Sequence, residues 1–317
     1  MSECFLVTGS EGCIGSWVVA RLLDAGARCI ALDVRAHGTR LRQLVPAERL
    51  DHVQFVVGDI VEEGLVERVV HKHRVSRIIH LAALQIPFVA AAPARGAEVN
   101  VVGTVRVFEA AAAVRDQVKG LAYASSAAVF GETEVLGPAT LYGVFKLANE
   151  GTARVFAETD GVASIGLRPW AVFGPGRDQG LTAAPTHALK AVTLGEPYRI
   201  PFGGRLDLQY ARDVADAFIA GALVTGVGAR VANLRGSVVS VDEFIEVVDA
   251  VRPGAAQLLT HESEPIPIVA EPAGTLLVEL LGETPRTPLA TAVRETLEHF
   301  EERGRLGELR AGGVVRD

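Results

Sequence analysis

Three glycines at intervals of three, Gly9, Gly12 and Gly15, follow the apolar run Cys4–Thr8 and open a helical stretch that Gly26 ends. This pattern confines the chain to few folds. The first glycine turns a buried strand sharply, the second lets backbone approach an anionic group, and the third lets the new helix pack closely. Amides at that helix start, where Cys13 and Ile14 lie, would face phosphate oxygens. In isolation such a triplet is also an ordinary tight turn. Here the next strand, Arg28–Asp33, ends in a carboxylate. A carboxylate at that place accepts hydrogen bonds from ribose hydroxyls and repels a 2′-phosphate. The expectation is a dinucleotide site for NAD, touched by Gly9, Gly12, Cys13, Ile14, Gly15 and Asp33. Arg35 and Arg40 keep NADP open, since a nearby arginine can hold the extra phosphate.

Apolar runs continue at Val53–Asp59, Arg77–Leu81, Gly120–Ser125 and Ala163–Arg168. Helical stretches separate them: Ile14–Ala25, Val61–His71, Glu98–Val114 and Tyr142–Thr159. Nearly continuous apolar strands alternating with amphipathic helices predict parallel βαβ units covered on both faces. The fold class is therefore α/β, a Rossmann-type doubly wound parallel sheet with a smaller C-terminal substrate-binding lobe. The rhythm breaks after Phe173 and resumes with a last strand at Ala229–Leu234. Residues 1–173 plus about 205–235 are assigned to the nucleotide-binding domain. Residues 174–204 plus 236–317 form the lobe, with a charged amphipathic helix at Leu289–Arg303.

Bulk properties exclude several classes. A net charge of −7 lacks the basic footprint that nucleic-acid binding requires. No uncharged span is long enough for a membrane, and no secretory leader begins the chain. The three cysteines, Cys4, Cys13 and Cys29, are an odd set without framework spacing, which suits a reducing, cytoplasmic setting. His187 and the pair His71/His73 have no acidic or thiol ligands gathered near them, so no metal site is expected.

A second chemical signal stands far along the chain. Tyr142 and Lys146 are four apart in a helical stretch, behind Ser125 and Ser126. Removing hydride from a secondary alcohol leaves a proton on its oxygen for a base to take. Free tyrosine, with a pKa of about 10, is a poor base at neutral pH. A lysine on the same helical face favours the phenolate through its charge.

Taken together, these residues resemble an extended short-chain dehydrogenase/reductase of the NAD-dependent epimerase/dehydratase family. The likeness rests on Thr8–Gly15, Gly58–Ile60, His80–Ala83, Asn100–Thr104, Tyr123–Gly131, Tyr142–Lys146 and, later, Arg168-Pro169 with Val172–Pro175. It implies that Asp59 and Ile60 flank the adenine, that Leu81, Ala82 and Ala83 line the cofactor, and that Pro169 lies near the nicotinamide. It makes Tyr142 the catalytic acid/base. Lys146 would hold the nicotinamide ribose and lower the tyrosine pKa, and Ser126 would hydrogen-bond the reacting oxygen. Relatives commonly pair through the helices at Glu98–Val114 and Tyr142–Thr159, which implies a homodimer.

Departures from the family pattern narrow the substrate. Ala127 and Ala128 stand where dehydratases carry acids. Ala171 replaces an asparagine and Leu206 an arginine, both of which grip a nucleotide diphosphate, and Arg205 is one residue out of register. A pocket for a small carbohydrate-like substrate remains, with Gln85, Ser125, Trp170, Arg177 and Gln209 as candidate lining residues. Arg177 offers a planar fork for a carboxylate. The leading expectation is NAD-dependent oxidation of a secondary hydroxyl on a small sugar, sugar acid or polyol. A sugar epimerase with tightly bound NAD is the alternative, and a non-catalytic NAD(P)-sensing protein a third reading.

Overall fold

The computed structural model describes residues 3–35, 38–282 and 286–309. The chain runs through β1 (Cys4–Thr8), α1 (Cys13–Asp24), β2 (Arg28–Asp33), α2 (Leu41–Leu44), β3 (Val53–Val57), α3 (Leu65–His73) and β4 (Arg77–His80). Next come α4 (Ile86–Ala91), α5 (Pro93–Ala97), α6 (Gly103–Ala113), β5 (Gly120–Ala124), α7 (Leu141–Asp160), β6 (Ser164–Arg168) and β7 (Ala171–Phe173). The remainder is α8 (Ala184–Leu194), β8 (Tyr198–Ile200), β9 (Arg205–Tyr210), α9 (Ala211–Leu223), β10 (Ala229–Asn233), β11 (Ser237–Ser240), α10 (Val241–Val251), β12 (Leu259–His261), α11 (Thr275–Leu281) and α12 (Leu289–Arg305).

Seven strands form one sheet in the order β10-β6-β5-β4-β1-β2-β3, with every pairing parallel. This is the Rossmann-type sheet that the alternation implied. All five residues of β1 are buried, as a strand covered on both faces requires. One face packs α1 and α9 through Val18, Leu22, Val214 and Phe218. The other packs α3 and α6 through Val66, Val70, Val107 and Phe108. Phe108 has no exposed surface, and truncating such a ring costs about 3–5 kcal/mol. After β3 the chain crosses back to place β4 on the opposite side of β1, so the strand order reverses there. A crevice opens beyond the strand ends at such a switch point.

Two details depart from expectation. The helix expected from Val61 starts at Leu65, because the Asp59 carboxylate binds the Val61 amide and Gly64 turns with φ 70°. Glu98–Val102 is a π-helical turn that runs directly into α6. β9 does not extend the main sheet. It joins β7 and β11 in a three-stranded sheet over a separate apolar core that includes Phe202, Leu206, Phe244, Val293 and Phe300. No helix among the described residues is long and apolar enough to cross a membrane.

Candidate active site

Close packing defines the nucleotide cradle. Gly9 takes φ 70°, and a Cβ there would lie 2.6 Å from the Ala82 amide nitrogen. A Cβ on Gly15 would lie 2.1 Å from the Gly9 carbonyl oxygen. Only glycine lets β1, the start of α1 and residues 81–82 converge so tightly. Gly12 is the extended residue before α1, and the amides of Cys13 and Ile14 follow at the helix start. The Asp33 carboxylate accepts from the Glu11 amide at 3.0 Å and the Val34 amide at 2.8 Å. Burial pushes its pKa up, while these amides pull the other way. Arg40 is directed elsewhere, donating to the Glu11 carbonyl at 2.7 Å and pairing with Asp178 at 2.7 Å.

The 81–84 segment is held from below. Thr8 Oγ1 accepts from the Leu81 and Ala82 amides and bonds His80 Nδ1 at 2.7 Å, and His80 Nε2 meets Thr104 Oγ1 at 3.0 Å. Thr104 donates its own proton to the Asn100 carbonyl, so His80 Nε2 carries hydrogen and Nδ1 accepts from Thr8. This is the neutral imidazole, and burial lowers its pKa to about 3. Asn100, in the π-helical turn, binds both the amide and the carbonyl of Leu84. Ala82 and Ala83 follow Leu81 in this secured segment. Asp59 is paired with Arg95, and buried Ile60 packs against Gly103. The glycine approaches, the amide row and the Asp33 carboxylate together fit a dinucleotide.

Beside the cradle, α7 begins at the Thr140 cap, whose hydroxyl accepts from the Gly143 amide at 3.1 Å. Tyr142 is half-buried at that start, close enough to Ser126 for the serine hydroxyl to act on its charge. Ser126 itself caps a short 3-10 turn, Ala127–Val129, by accepting from the Ala128 amide. Pro169 is buried, and its carbonyl accepts from the Ala127 amide at 2.9 Å. Lys146 is 3% exposed, donates to the Ala124 carbonyl at 2.8 Å and lies 5.4 Å from the centre of the Tyr142 ring. Burial depresses its pKa to about 8. The phenol differs from expectation: burial raises its pKa, opposed by the Ser126 hydrogen bond and then by the Arg177 guanidinium. Desolvation of the phenolate outweighs the neighbouring groups.

The candidate substrate residues divide into two sets. Arg177 faces Tyr142 closely enough to influence its charge, binds Thr182 at 2.9 Å, and has a buried Nε without a protein partner. Gln85 lies at the same place: a Cβ on Gly180 would be 2.9 Å from Gln85 Oε1 and 3.6 Å from Arg177 Nη2. The other three are engaged inside the protein. Ser125 donates to Glu150 at 2.5 Å, and Glu150 forms a two-pronged pair with Arg168 at 2.7 and 2.6 Å. Trp170 donates its indole to the Val269 carbonyl at 2.7 Å. Gln209, 1% exposed, accepts from the Trp170 amide and donates to Asp207 and the Leu234 carbonyl. Buried polar groups must be paired, and internal partners take up these three. A cavity of about 490 Å3 bordered by Gln209, Val214, Leu277 and Arg286 touches neither Tyr142 nor Ser126.

Leu206 is 2% exposed and Ala171 fully buried, whereas Arg205 points outward to Glu243 and the Val238 carbonyl. Side chains alternate along a strand, so Arg205 does not replace an arginine at position 206. Sequence reading passed over Glu11, Asn100, Gly143 and Glu150 as individual residues. Glu150 continues the Tyr142–Lys146 spacing by another four, the one local signal it offered.

The model of the NAD dependent epimerase/dehydratase family matches residues 5–229. A UDP-glucose 4-epimerase of Mycolicibacterium smegmatis is 30% identical over 94% of this chain and 98% of its own length. The structure of MoeE5 in complex with UDP-glucose and NAD aligns with a TM-score of 0.77 at 28% identity, covering 96% of this chain and 99% of that one. An L-threonine dehydrogenase from Clostridium difficile aligns with a TM-score of 0.83, covering 96% and 99%, but at 19% identity it shares the fold alone. With its glycine cradle, its Asp33 carboxylate and this breadth of likeness, the chain belongs to the NAD-dependent epimerase/dehydratase family and is an NAD-dependent enzyme of the extended short-chain dehydrogenase/reductase type.

Proposed function

We propose that this enzyme oxidises a secondary hydroxyl of a small sugar, sugar acid or polyol. The observation that carries the reading is a buried Lys146 lying 5.4 Å from the centre of the Tyr142 ring, with Ser126 near the phenol. The bound nicotinamide supplies the hydride acceptor. Ser126 donates a hydrogen bond to the substrate oxygen, and Tyr142 takes the proton from that oxygen as the carbonyl forms. Lys146, protonated below about pH 8, stabilises the phenolate, and Arg177 adds positive charge from the substrate side. Arg177 and Gln85 are the residues placed to choose the substrate, and a carboxylate would satisfy the guanidinium. Leu206 and Ala171 support a substrate without a nucleotide diphosphate, since neither offers a charged or amide contact. The lobe built from 174–204 and 236–317 would cover the substrate.

A sugar epimerase is the second reading, favoured by the 30% identity to a UDP-glucose 4-epimerase. Tyr142 would then return its proton after the keto sugar turns over. One experiment separates the two: release the nucleotide from purified protein, quantify it per chain, and follow NADH formation across sugars, aldonates and polyols. Weakly held NAD with Tyr142-dependent NADH formation supports the dehydrogenase. Stoichiometric NAD with sugar interconversion and no net NADH supports the epimerase. Full turnover in Tyr142→Phe would overturn both. A homodimer through α6 and α7 is also proposed, since Val102, in the turn that leads into α6, and Leu141, Val144 and Val155 of α7 are exposed, and sedimentation tests it.

A further inference from the structure

Glu11 lies inside the glycine turn, between Gly9 and Gly12, and each of its polar groups is spent on the end of β2 or on Gly38 and Arg40 beyond it. Its amide donates to Asp33 at 3.0 Å. Its carboxylate accepts from the Gly38 amide at 2.9 Å. Its carbonyl accepts from Arg40 at 2.7 Å. Two groups that would welcome an extra phosphate beside the ribose, the Gly38 amide and the Arg40 guanidinium, are therefore committed. Gly38 offers its amide to an internal carboxylate, and Arg40 is divided between the Glu11 carbonyl and a two-pronged pair with Asp178, at 3.2 and 2.7 Å. Two carboxylates, Glu11 and Asp33, lie side by side at this end of the cradle.

We propose that Glu11 is a second determinant of cofactor choice: an internal anion that engages Gly38 and Arg40 and excludes a dinucleotide carrying a 2′-phosphate. Asp33 alone favours ribose hydroxyls. Glu11 adds a second negative charge and denies the phosphate the amide and guanidinium that would neutralise it. A 2′-phosphate brings nearly two negative charges at neutral pH, so its repulsion by a partly buried carboxylate exceeds that felt by the neutral ribose hydroxyl. Burial raises the pKa of Glu11, the Gly38 amide opposes it, and the Asp33 charge adds to the rise, consistent with their proximity.

The test measures dissociation constants of NAD and NADP by calorimetry on protein freed of copurifying nucleotide. Glu11→Gln keeps an acceptor for the Gly38 amide and removes the charge. It is expected to tighten NADP about tenfold while NAD changes less than about threefold, with the gain shrinking as salt is added. Glu11→Asp retains the charge and is expected to keep NADP excluded. An unchanged NADP-to-NAD ratio in a folded Glu11→Gln protein would overturn the proposal. So would equal weakening of both cofactors, which marks Glu11 as a support for the turn only, or an NADP gain in Glu11→Asp matching that in Glu11→Gln. The unaltered protein gives a readout independent of folding defects: its NADP-to-NAD ratio of dissociation constants is expected to narrow with added salt, and a salt-independent ratio counts against the idea.

Discussion

Gly143 lies so close to Ala128 that a Cβ at position 143 would sit 2.2 Å from the Ala128 carbonyl oxygen and 2.8 Å from the Pro138 ring. This contact brings the start of α7, with Tyr142, against the turn that Ser126 caps. The helix start and the turn approach this closely because Gly143 has no side chain.

Gly143→Ala therefore sets two effects against each other. Alanine gains about 1 kcal/mol in helix propensity over glycine. The clash falls on backbone, which cannot swing aside, and such overpacking costs about 1–3 kcal/mol. Clash is expected to win, with lowered thermal stability and a fall in kcat on the order of 100-fold as Tyr142 and Ser126 separate. A variant as active and stable as the parent would refute the close approach.

Lys146 links pH to stability. Its folded pKa is lowered to about 8 from 10.5, so between those values the unfolded chain binds more protons. Stability should rise as pH climbs from about 8 towards 10.5, and the burial cost is fully present below 8. Lys146→Met should lose that slope in chemical denaturation and lose turnover on the order of 100-fold or more. Retention of the slope would mean that another group titrates there.

His80 contributes the opposite limb. Its folded pKa of about 3 lies below the ordinary 6.5, so the unfolded chain takes the proton first as pH falls. The stability it contributes is complete above 6.5 and is lost as pH drops towards 3, costing about 3 kcal/mol by pH 4. Denaturant unfolding of His80→Gln between pH 7 and 4 should show a shallower decline than the parent. Parallel declines would show that His80 is not the group responsible.

Ser125 and Glu150 should respond unequally. Glu150→Ala strands the Arg168 guanidinium, whose side chain is 13% exposed, and should cost about 3–5 kcal/mol. Ser125→Ala loses one hydrogen bond, about 1 kcal/mol, and should leave KM unchanged because its hydroxyl serves Glu150. A marked KM increase in Ser125→Ala would restore this serine to the substrate pocket.

Local patterns were readable where the chemistry is local. The glycine spacing carried the turn at 9–15, Asp33 followed from the end of the next strand, and Tyr142 with Lys146 from helical periodicity. The parallel sheet followed from the same logic, since continuous apolar runs between helices imply strands covered on both faces. The π-helical turn at Glu98–Val102 escaped notice because hydrophobic periodicity does not distinguish a wider turn from the helix it extends.

The sequence by itself determined the parallel sheet, the glycine turn and the placing of Tyr142 and Lys146 on one helix, because spacing along one strand or helix is enough to specify them. Tertiary structure alone decided that Ser125 turns to Glu150, that Gln209 accepts from the Trp170 backbone amide, that Arg205 faces Glu243 while Leu206 is buried, and that Glu11 reaches Gly38. Each of those outcomes depends on a partner distant in the chain. A buried polar side chain takes whichever partner folding delivers, and no local period encodes that choice.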